Sequence, residues 1–223
     1  MRIEPFALER FFAGHEFSAA HNLCASDCET LSIGELLAME PGAAEEFSAL
    51  RLGYTETAGH PDLRREIAGL YRGISADDIL VFAGAEEAIF VFMNALLRAG
   101  DHLVVHAPGY QSLTAVAEAV GCRVTRWEAA AGQGWAPDPD WLAGHVTPAT
   151  RAVVANFPHN PTGYLPDKAQ FERLVEIARK NGLLLFSDEV YRFLEFDASD
   201  RLPAACAPRA ARAACSRRGS ARP

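Results

Sequence analysis

Residues 151–191, RAVVANFPHNPTGYLPDKAQFERLVEIARKNGLLLFSDEVY, decide the fold of this chain. An apolar run at 152–156 leads into a turn rich in Asn, Pro and Gly, and a second apolar run occupies 183–187. The segment between them carries apolar residues with helical spacing, namely Phe171, Leu174, Val175 and Ala178. A strand, a helix and a second strand in this order predict two parallel strands, because parallel neighbours need a long crossover connection.

The same alternation extends from this unit towards the N-terminus. Short β-branched or apolar runs predict further strands at 79–82, 103–106 and 123–127. Helical patterns predict helices at 63–71, 86–97, 111–120 and 140–145. Strands that alternate with helices are typical of an α/β domain, so we expect a mostly parallel sheet covered by helices.

Composition limits the classes of protein to which the chain can belong. Of its 223 residues, 49% are hydrophobic and 22% are charged, as in soluble globular proteins. No apolar run approaches the ~20 residues that span a membrane, and the first residues, MRIEPFALERFF, lack the apolar segment of a secretory signal. The net charge of −8 argues against a nucleic-acid partner. Five cysteines, sparse and odd in number, favour reduced thiols in the cytoplasm.

The C-terminal residues differ in composition from the rest. Residues 201–223 contain six arginines and no acidic residue, and from 204 onwards every residue is Ala, Arg, Cys, Pro, Ser or Gly. All six types have GC-rich codons, so we interpret 204–223 as an aberrant, frameshifted tail. A basic arm for nucleic acid or a membrane surface is the alternative. The expected organisation is an N-terminal segment at 1–50, a large domain at 51–203 and this tail.

Small and polar residues follow four of the predicted strands, where parallel sheets bind their ligands. Gly84-Ala85-Glu86 precedes a helix, and the backbone N–H groups at a helix N-terminus favour a phosphate. A tight turn is the alternative at this point. Tyr110 follows Pro108-Gly109 and can either stack on a flat heteroaromatic ring or pack within its loop.

The other two groups follow the last two predicted strands. In NPTG (160–163), the Asn160 amide can donate a hydrogen bond to a cofactor oxygen, although Asn-Pro also initiates ordinary turns. Asp188 ends an apolar run, where a carboxylate is unfavourable unless it is paired. A protonated pyridine nitrogen would pair with it, and so would a salt bridge or a helix cap within the fold.

Together these segments resemble the class I/II aminotransferases, which are pyridoxal 5'-phosphate (PLP) enzymes of fold type I. The matching segments are YTETAGHPDLRREIA (54–68), FAGAEEAI (82–89), APGYQS (107–112), NFPHNPTG (156–163) and SDEVY (187–191). The resemblance implies a three-layer αβα large domain, incomplete in this chain, in which 51–203 form the PLP-binding part.

The resemblance also implies a role for four side chains around the PLP ring. Asp188 would pair with the pyridine nitrogen. Asn160 and Tyr191 would hydrogen-bond the phenolic oxygen, and Tyr110 would stack on the ring. The implied reaction moves an amino group between an amino acid and a 2-oxo acid.

At the other end of the cofactor, the resemblance implies a phosphate site at Gly84. The backbone amides of Ala85 and Glu86 would hold the phosphate, so the side chains of Glu86 and Glu87 are expected to point away from it. Tyr54 resembles a tyrosine that reaches the phosphate of the neighbouring subunit's cofactor, which implies a homodimer.

The lysine that forms the Schiff base in this family is expected some thirty residues after Asp188, where the sequence reads RRGSARP (217–223). Arginine cannot replace it, because the guanidinium stays protonated. The two lysines of the chain, Lys168 and Lys180, lie on one predicted surface helix. We therefore expect the chain to lack the catalytic lysine and the small domain, and to be catalytically incompetent.

Two other functions remain open at this point. Lyases, cyclases and synthases that use PLP share the scaffold, and a non-catalytic PLP-binding fragment would carry the same residues. A zinc site would be a further possibility at His21, Cys24 and Cys28. The spacing C-x₃-C without a second pair supports it poorly, so no metal is expected.

Overall fold

The computed structural model describes residues 2–24, 26 and 28–206. They divide into two compact units, of which the smaller is Pro5–Thr57. Its helices are α1 (Ala7–His15), α2 (Ile33–Leu37) and α3 (Ala43–Ala49). A capping box between Ser32 and Glu35 begins α2. None of these three helices contains a buried residue.

The larger unit contains the sheet, and from α5 onwards its helices and strands alternate along the chain as the sequence predicts. Its helices are α4 (Pro61–Gly69), α5 (Ala85–Leu96), α6 (Ser112–Val120), α7 (Pro139–His145) and α8 (Lys168–Lys180). Its strands are β1 (His102–Ala107), β2 (Arg123–Glu128), β3 (Thr150–Asn156) and β4 (Leu184–Asp188). Short 3₁₀ turns lie at Ala76–Asp78, Ala131–Gln133 and Ala198–Asp200.

The four strands form one sheet in the order β2-β1-β3-β4, and every neighbouring pair is parallel. The prediction that β3, α8 and β4 form a parallel crossover unit is therefore confirmed. Because the strands are parallel, their last residues lie at one edge of the sheet, which we call the carboxyl edge. It is formed by Ala107, Glu128, Asn156 and Asp188.

Helices cover both faces of the sheet. Leu103 and Val105 of β1 pack in a cluster with buried residues of α5 and α6. Val104 points to the opposite face, where the cluster contains Leu142 of α7 and the buried stripe of α8. This arrangement confirms the predicted three-layer α/β fold. Burial on both faces explains why the central residues of both strands, 103–105 in β1 and 152–155 in β3, are apolar without alternation.

Local sequence signals determine where α8 begins. The Asp167 side chain accepts a hydrogen bond from the Gln170 N–H at 2.7 Å, and the Gln170 side chain accepts one from the Asp167 N–H at 2.9 Å. This reciprocal cap satisfies two donors that a helix N-terminus otherwise leaves free. The predicted apolar stripe is buried as expected: Phe171, Leu174, Val175 and Ala178.

The predicted strand at 79–82 is wrong. These residues are not part of the sheet, and the Val81 N–H forms a single backbone hydrogen bond to the Ala58 carbonyl at 3.0 Å. Its neighbour is a turn at Gly59, whose Cβ, if present, would lie 2.4 Å from Val81. An apolar run becomes a strand only where another strand is available to pair with it, and the run alone does not carry that information.

The chain after β4 returns to the core. Leu202 and Ala205 are buried in the cluster that contains α8. The interpretation of 204–223 as an aberrant tail lies, from 207 onwards, outside the described residues. No helix within the part that the structure describes combines the length and the apolar character needed to cross a membrane.

Candidate functional site

Asn156 joins β3 to β4 at the carboxyl edge. Its partner in the strand register is Asp188. The Asn156 side chain donates to the Asp188 carbonyl at 3.1 Å, and its oxygen accepts from the Asn160 N–H at 2.8 Å. Asn156 is only 5% exposed, so these bonds are shielded from water. The ends of both strands and the NPTG turn are thus held together by one amide.

Asn160 and Tyr191 meet in front of this edge. The Asn160 side-chain N–H group donates to the Tyr191 hydroxyl oxygen at 3.0 Å. The two residues are 31 positions apart in the sequence and follow different strands. The resemblance predicted that both would contact one oxygen atom, and the structure places their polar atoms in direct contact.

Asp188, the last residue of β4, lies at the same edge of the sheet, and it is half-buried. Burial raises the pKa of Asp188, and hydrogen bonds from the Val190 N–H and the Asn156 amide offset this only in part. Within residues 2–24, 26 and 28–206, no cationic side chain forms an ion pair with Asp188. The internal salt bridge considered from the sequence is therefore not formed among these residues.

The segment after β4 is anchored by Glu189. Its carboxylate accepts hydrogen bonds from the Ser187 hydroxyl and the Ala205 N–H, both at 3.1 Å. It also pairs with Arg192 at 3.3 Å, and the Arg192 side chain donates to the Leu202 carbonyl at 3.1 Å. Because Asp188 and Tyr191 flank this network in the chain, it limits the movement of both.

The N-terminus of α5 is exposed, and Gly84 precedes the helix as its N-cap residue. Gly84 has φ −172°, which any residue can adopt, and no atom lies within 4 Å of the position a Cβ would take. Neither the backbone conformation nor packing within the chain requires glycine there. The first N–H groups of a helix, including those of Ala85 and Glu86, have no intrahelical acceptor.

Both carboxylates in the first turn of α5 are directed to donors of the protein. Glu86 accepts from the Ser112 hydroxyl at the start of α6 at 2.9 Å. Glu87 accepts from the Ala83 N–H at 2.8 Å, so it occupies one backbone donor next to the helix N-terminus. The side chain of Glu86 is thus engaged elsewhere, whereas Glu87 remains close to the loop that precedes α5.

The other two tyrosines with predicted roles, Tyr110 and Tyr54, have different surroundings. Tyr110 is half-buried against the cluster that contains Leu113, so packing accounts for its position and the stacking role stays a prediction. Tyr54 belongs to the smaller unit and its side chain is fully exposed.

Two buried histidines were not predicted from the sequence. His106 near the end of β1 and His159 in the turn after β3 are each 3% exposed. Their rings stack with centroids 4.0 Å apart and an interplanar angle of 29°. Like Asn156, His106 is a polar residue at the end of an apolar run. This pattern in the sequence could have indicated a buried polar residue at the carboxyl edge.

The cysteines of the smaller unit do not form a metal site in the described residues. No group of three His, Cys, Asp or Glu side chains comes together there, and the Cys24 thiol instead contacts the Asn22 side-chain oxygen at 3.3 Å. The zinc alternative therefore has no support from the described part of the chain.

The family comparison covers most of the chain. The family described as aminotransferase class I and II matches residues 21–215. An arginine–pyruvate transaminase of Pseudomonas aeruginosa is 34% identical over 167 residues, which are 73% of this chain and 42% of that protein. An aspartate/prephenate aminotransferase of Thermus thermophilus is 31% identical over 160 residues, 70% of this chain and 42% of that protein.

Solved structures resemble this chain in fold as well as in sequence. A PLP-dependent aminotransferase from Streptococcus suis superposes with a TM-score of 0.80 at 30% identity, covering 85% of this chain and 52% of that one. The PLP-dependent cyclase OrfR superposes with a TM-score of 0.74 at 35% identity, covering 84% and 49%. The chain thus spans about two-fifths of these curated relatives and about half of these solved chains. By its sequence match and by its fold, the chain belongs to the class I and II aminotransferase family.

Proposed function

We propose that this chain forms most of the PLP-binding large domain of an aminotransferase and binds PLP at the carboxyl edge. One observation carries the proposal. The Asn160 amide and the Tyr191 hydroxyl converge at 3.0 Å at the same edge of the sheet as Asp188, a half-buried carboxylate that has no cationic partner in the described residues. A buried charge without a partner is unfavourable, so this site suits a ligand that brings a positive charge.

Asp188 would supply the charge that keeps a pyridine nitrogen protonated. Burial already raises its pKa in the ligand-free chain, and a cationic N–H would remove that unfavourable state by forming a charge-assisted hydrogen bond. When bound, PLP supplies an electron sink for reactions at the α-carbon of amino acids. The contribution of Asp188 is to hold one proton at the ring nitrogen.

Asn160 and Tyr191 would orient the ring. The Tyr191 oxygen accepts a hydrogen bond from Asn160, so its own proton remains available for an oxygen of the ligand. The second N–H of the Asn160 amide is available to the same oxygen. Two donors that come from separate segments of the chain would fix the orientation of the ring, whereas a single flexible donor would not.

The phosphate would bind at the N-terminus of α5. The open space next to Gly84 and the free N–H groups of Ala85 and Glu86 fit an anion, and the helix dipole favours it. Tyr110 is proposed to stack on the ring, and Tyr54 to reach the phosphate site of a second subunit in a homodimer. We place the protein in the cytoplasm because its cysteines are sparse and, among the described ones, free.

We further propose that the 223-residue chain does not itself catalyse amino-group transfer. Lys180 is paired with Glu176 at 2.9 Å on α8, and Lys168 is exposed at the start of the same helix. Neither is buried at the carboxyl edge. Loss of a positioned base alone lowers a rate by about 10²–10⁴-fold. We expect no transfer from an amino acid to a 2-oxo acid above the rate of free PLP, measured by chromatography of the products.

A PLP-dependent cyclase or lyase is the second candidate. The likeness to the cyclase OrfR favours it, at 35% identity and a TM-score of 0.74. The two candidates differ in the fate of the nitrogen. A full-length relative given an amino acid labelled with ¹⁵N would pass the label to a 2-oxo acid in the first case and retain it in the product in the second.

Replacing Tyr191 by Phe tests the ring site. Loss of the hydroxyl removes one donor and frees the Asn160 amide from its partner, so we expect PLP to bind about 5- to 30-fold more weakly, which corresponds to about 1–2 kcal/mol. Equilibrium dialysis of the 223-residue chain with PLP measures this change.

Tyr164→Phe is the matched control, because the Tyr164 hydroxyl donates to Gln170 at 3.0 Å outside the proposed site. Its affinity for PLP should equal that of the parent chain. Equal binding by Tyr191→Phe and Tyr164→Phe would contradict the assignment of Tyr191. Failure of the parent chain to bind PLP would contradict the proposed function as a whole.

A further inference from the structure

His106 and His159 form a buried stack, which we call the imidazole pair. Phe157 and Trp127 surround His106, with ring centroids 5.1 and 5.7 Å away. Neither ring nitrogen of His106 has a hydrogen-bonding partner among the described residues. Burying such unsatisfied polar atoms is unfavourable by about 1–3 kcal/mol. An apolar side chain would fill the position of His106 without this cost, so packing alone does not explain why histidine is present there.

His159 is bound tightly to the NPTG turn. Its Nδ1 lies 2.6 Å from the Thr162 hydroxyl, which also accepts from the Tyr164 N–H at 3.2 Å. Since the hydroxyl oxygen already accepts from Tyr164, its own proton is free to be donated to Nδ1. Backbone bonds close the turn, from the Gly163 N–H to the His159 carbonyl at 2.8 Å and from the His159 N–H to the Tyr164 carbonyl at 3.0 Å.

The loop that carries Tyr110 turns back towards the backbone of His106. A Cβ on Gly109 would lie 3.0 Å from the His106 carbonyl oxygen. The Pro108 carbonyl also faces the His159 ring and favours its protonated form, although its geometry towards Nε2 is not that of a good hydrogen bond. His159 therefore contacts the end of β1 through the ring stack and faces the loop that follows β1 through this carbonyl.

We propose that His159 is a positioning residue that, stacked on His106, holds the Asn160 turn in register with the Tyr110 loop. Asn160 follows His159 directly, so rotation or displacement of the imidazole moves its amide. The inference rests on the proposed PLP site, because Asn160 and Tyr110 are two of its contacts. His159 itself would not touch the cofactor.

A double-mutant cycle tests whether His159 acts through Asn160. His159→Phe keeps an aromatic ring in the stack and removes the bond to Thr162. We expect PLP to bind about 5- to 10-fold more weakly in this variant, measured by equilibrium dialysis of the 223-residue chain. In the Asn160→Ala background the same change should alter affinity by less than about two-fold, because the group through which it acts is gone. A purely structural residue would have the same effect in both backgrounds.

Thr162→Val provides a second route to the same result, should His159→Phe fail to fold. It removes the Nδ1 partner without changing the ring, and we expect the same direction of change. The matched control is His145→Phe. His145 also stacks on an aromatic ring, Trp141, and its Nδ1 also has a hydrogen-bonding partner, the Trp141 carbonyl, but it is exposed at the end of α7. PLP affinity of this control should be unchanged.

These measurements distinguish the positioning role of His159 from the PLP site itself. If the parent chain binds PLP and Asn160→Ala weakens binding, but His159→Phe and Thr162→Val do not, the positioning role is wrong while the cofactor site stands. An equal loss with and without Asn160 would also overturn it. No binding by the parent chain would overturn the cofactor site itself.

Discussion

Asp188→Asn is expected to stabilise the ligand-free chain and, at the same time, to weaken PLP binding by about 10- to 100-fold. Hydrogen bonds to charged groups contribute about 1.5–3 kcal/mol, and asparagine keeps the shape of the side chain but cannot stabilise a cationic nitrogen. Without ligand, the buried carboxylate is unfavourable, as its raised pKa indicates. Urea unfolding measures the first effect and equilibrium dialysis with PLP the second.

The stabilisation should depend on pH in a defined direction. Because the folded pKa of Asp188 is raised, the folded chain binds a proton at higher pH than the unfolded chain does. The disadvantage of the carboxylate is therefore present at neutral pH and disappears as the pH falls through the folded pKa. The difference in unfolding free energy between Asp188→Asn and the parent chain should therefore become smaller as the pH is lowered.

Asp101→Asn is the matched control with the opposite sign. Burial opposes ionisation of Asp101 as well, but hydrogen bonds from the Arg98 N–H and the Arg151 guanidinium outweigh it and lower its pKa. Asp101 precedes β1, at the opposite edge of the sheet. This variant should be less stable and bind PLP normally. If Asp188→Asn instead behaved like Asp101→Asn, Asp188 would be a structural carboxylate and the proposed pairing with the ring nitrogen would be wrong.

Acid should unfold the chain partly through His106, and His106→Phe should remove that part. Burial lowers the pKa of His106 to about 3, and the neighbouring His159 contributes in the same direction. Below the unfolded pKa of about 6.5, the unfolded chain binds a proton that the folded chain does not, so stability falls with pH. At 1.36 kcal/mol per pH unit, the loss from pH 6.5 to 4.5 is about 2–3 kcal/mol.

Urea unfolding at pH 6.5, 5.5 and 4.5 measures this contribution as the difference between His106→Phe and the parent chain. The variant should gain about 2–3 kcal/mol relative to the parent over this range. His106→Leu serves the same purpose if the larger ring does not fit. Parallel curves for the parent and both His106 variants would show that His106 is accessible to protons, contrary to its burial.

Part of the candidate site could be predicted because it depends on local signals. Asp188 follows an apolar run directly and Asn160 follows one after a short turn, and parallel strands end at a common edge whatever their length. That rule was sufficient to predict that NPTG and SDEVY lie together, and the contact between Asn160 and Tyr191 agrees with it. The prediction of a strand at 79–82 was wrong because a strand needs a neighbouring strand with which to pair, and the residues of this run do not specify one.

The alternation of strands and helices, the cap of α8 and its buried stripe were determined by the sequence itself, because each depends on residues within a few positions of one another. The partners of distant side chains were decided only by the tertiary structure. Glu86 meets Ser112, Asn156 meets Asp188, and His106 stacks on His159 across 26, 32 and 53 positions of the chain. Such contacts depend on the register of the strands and on the path of the loops beyond them, which arise when the whole sheet packs between its two layers of helices.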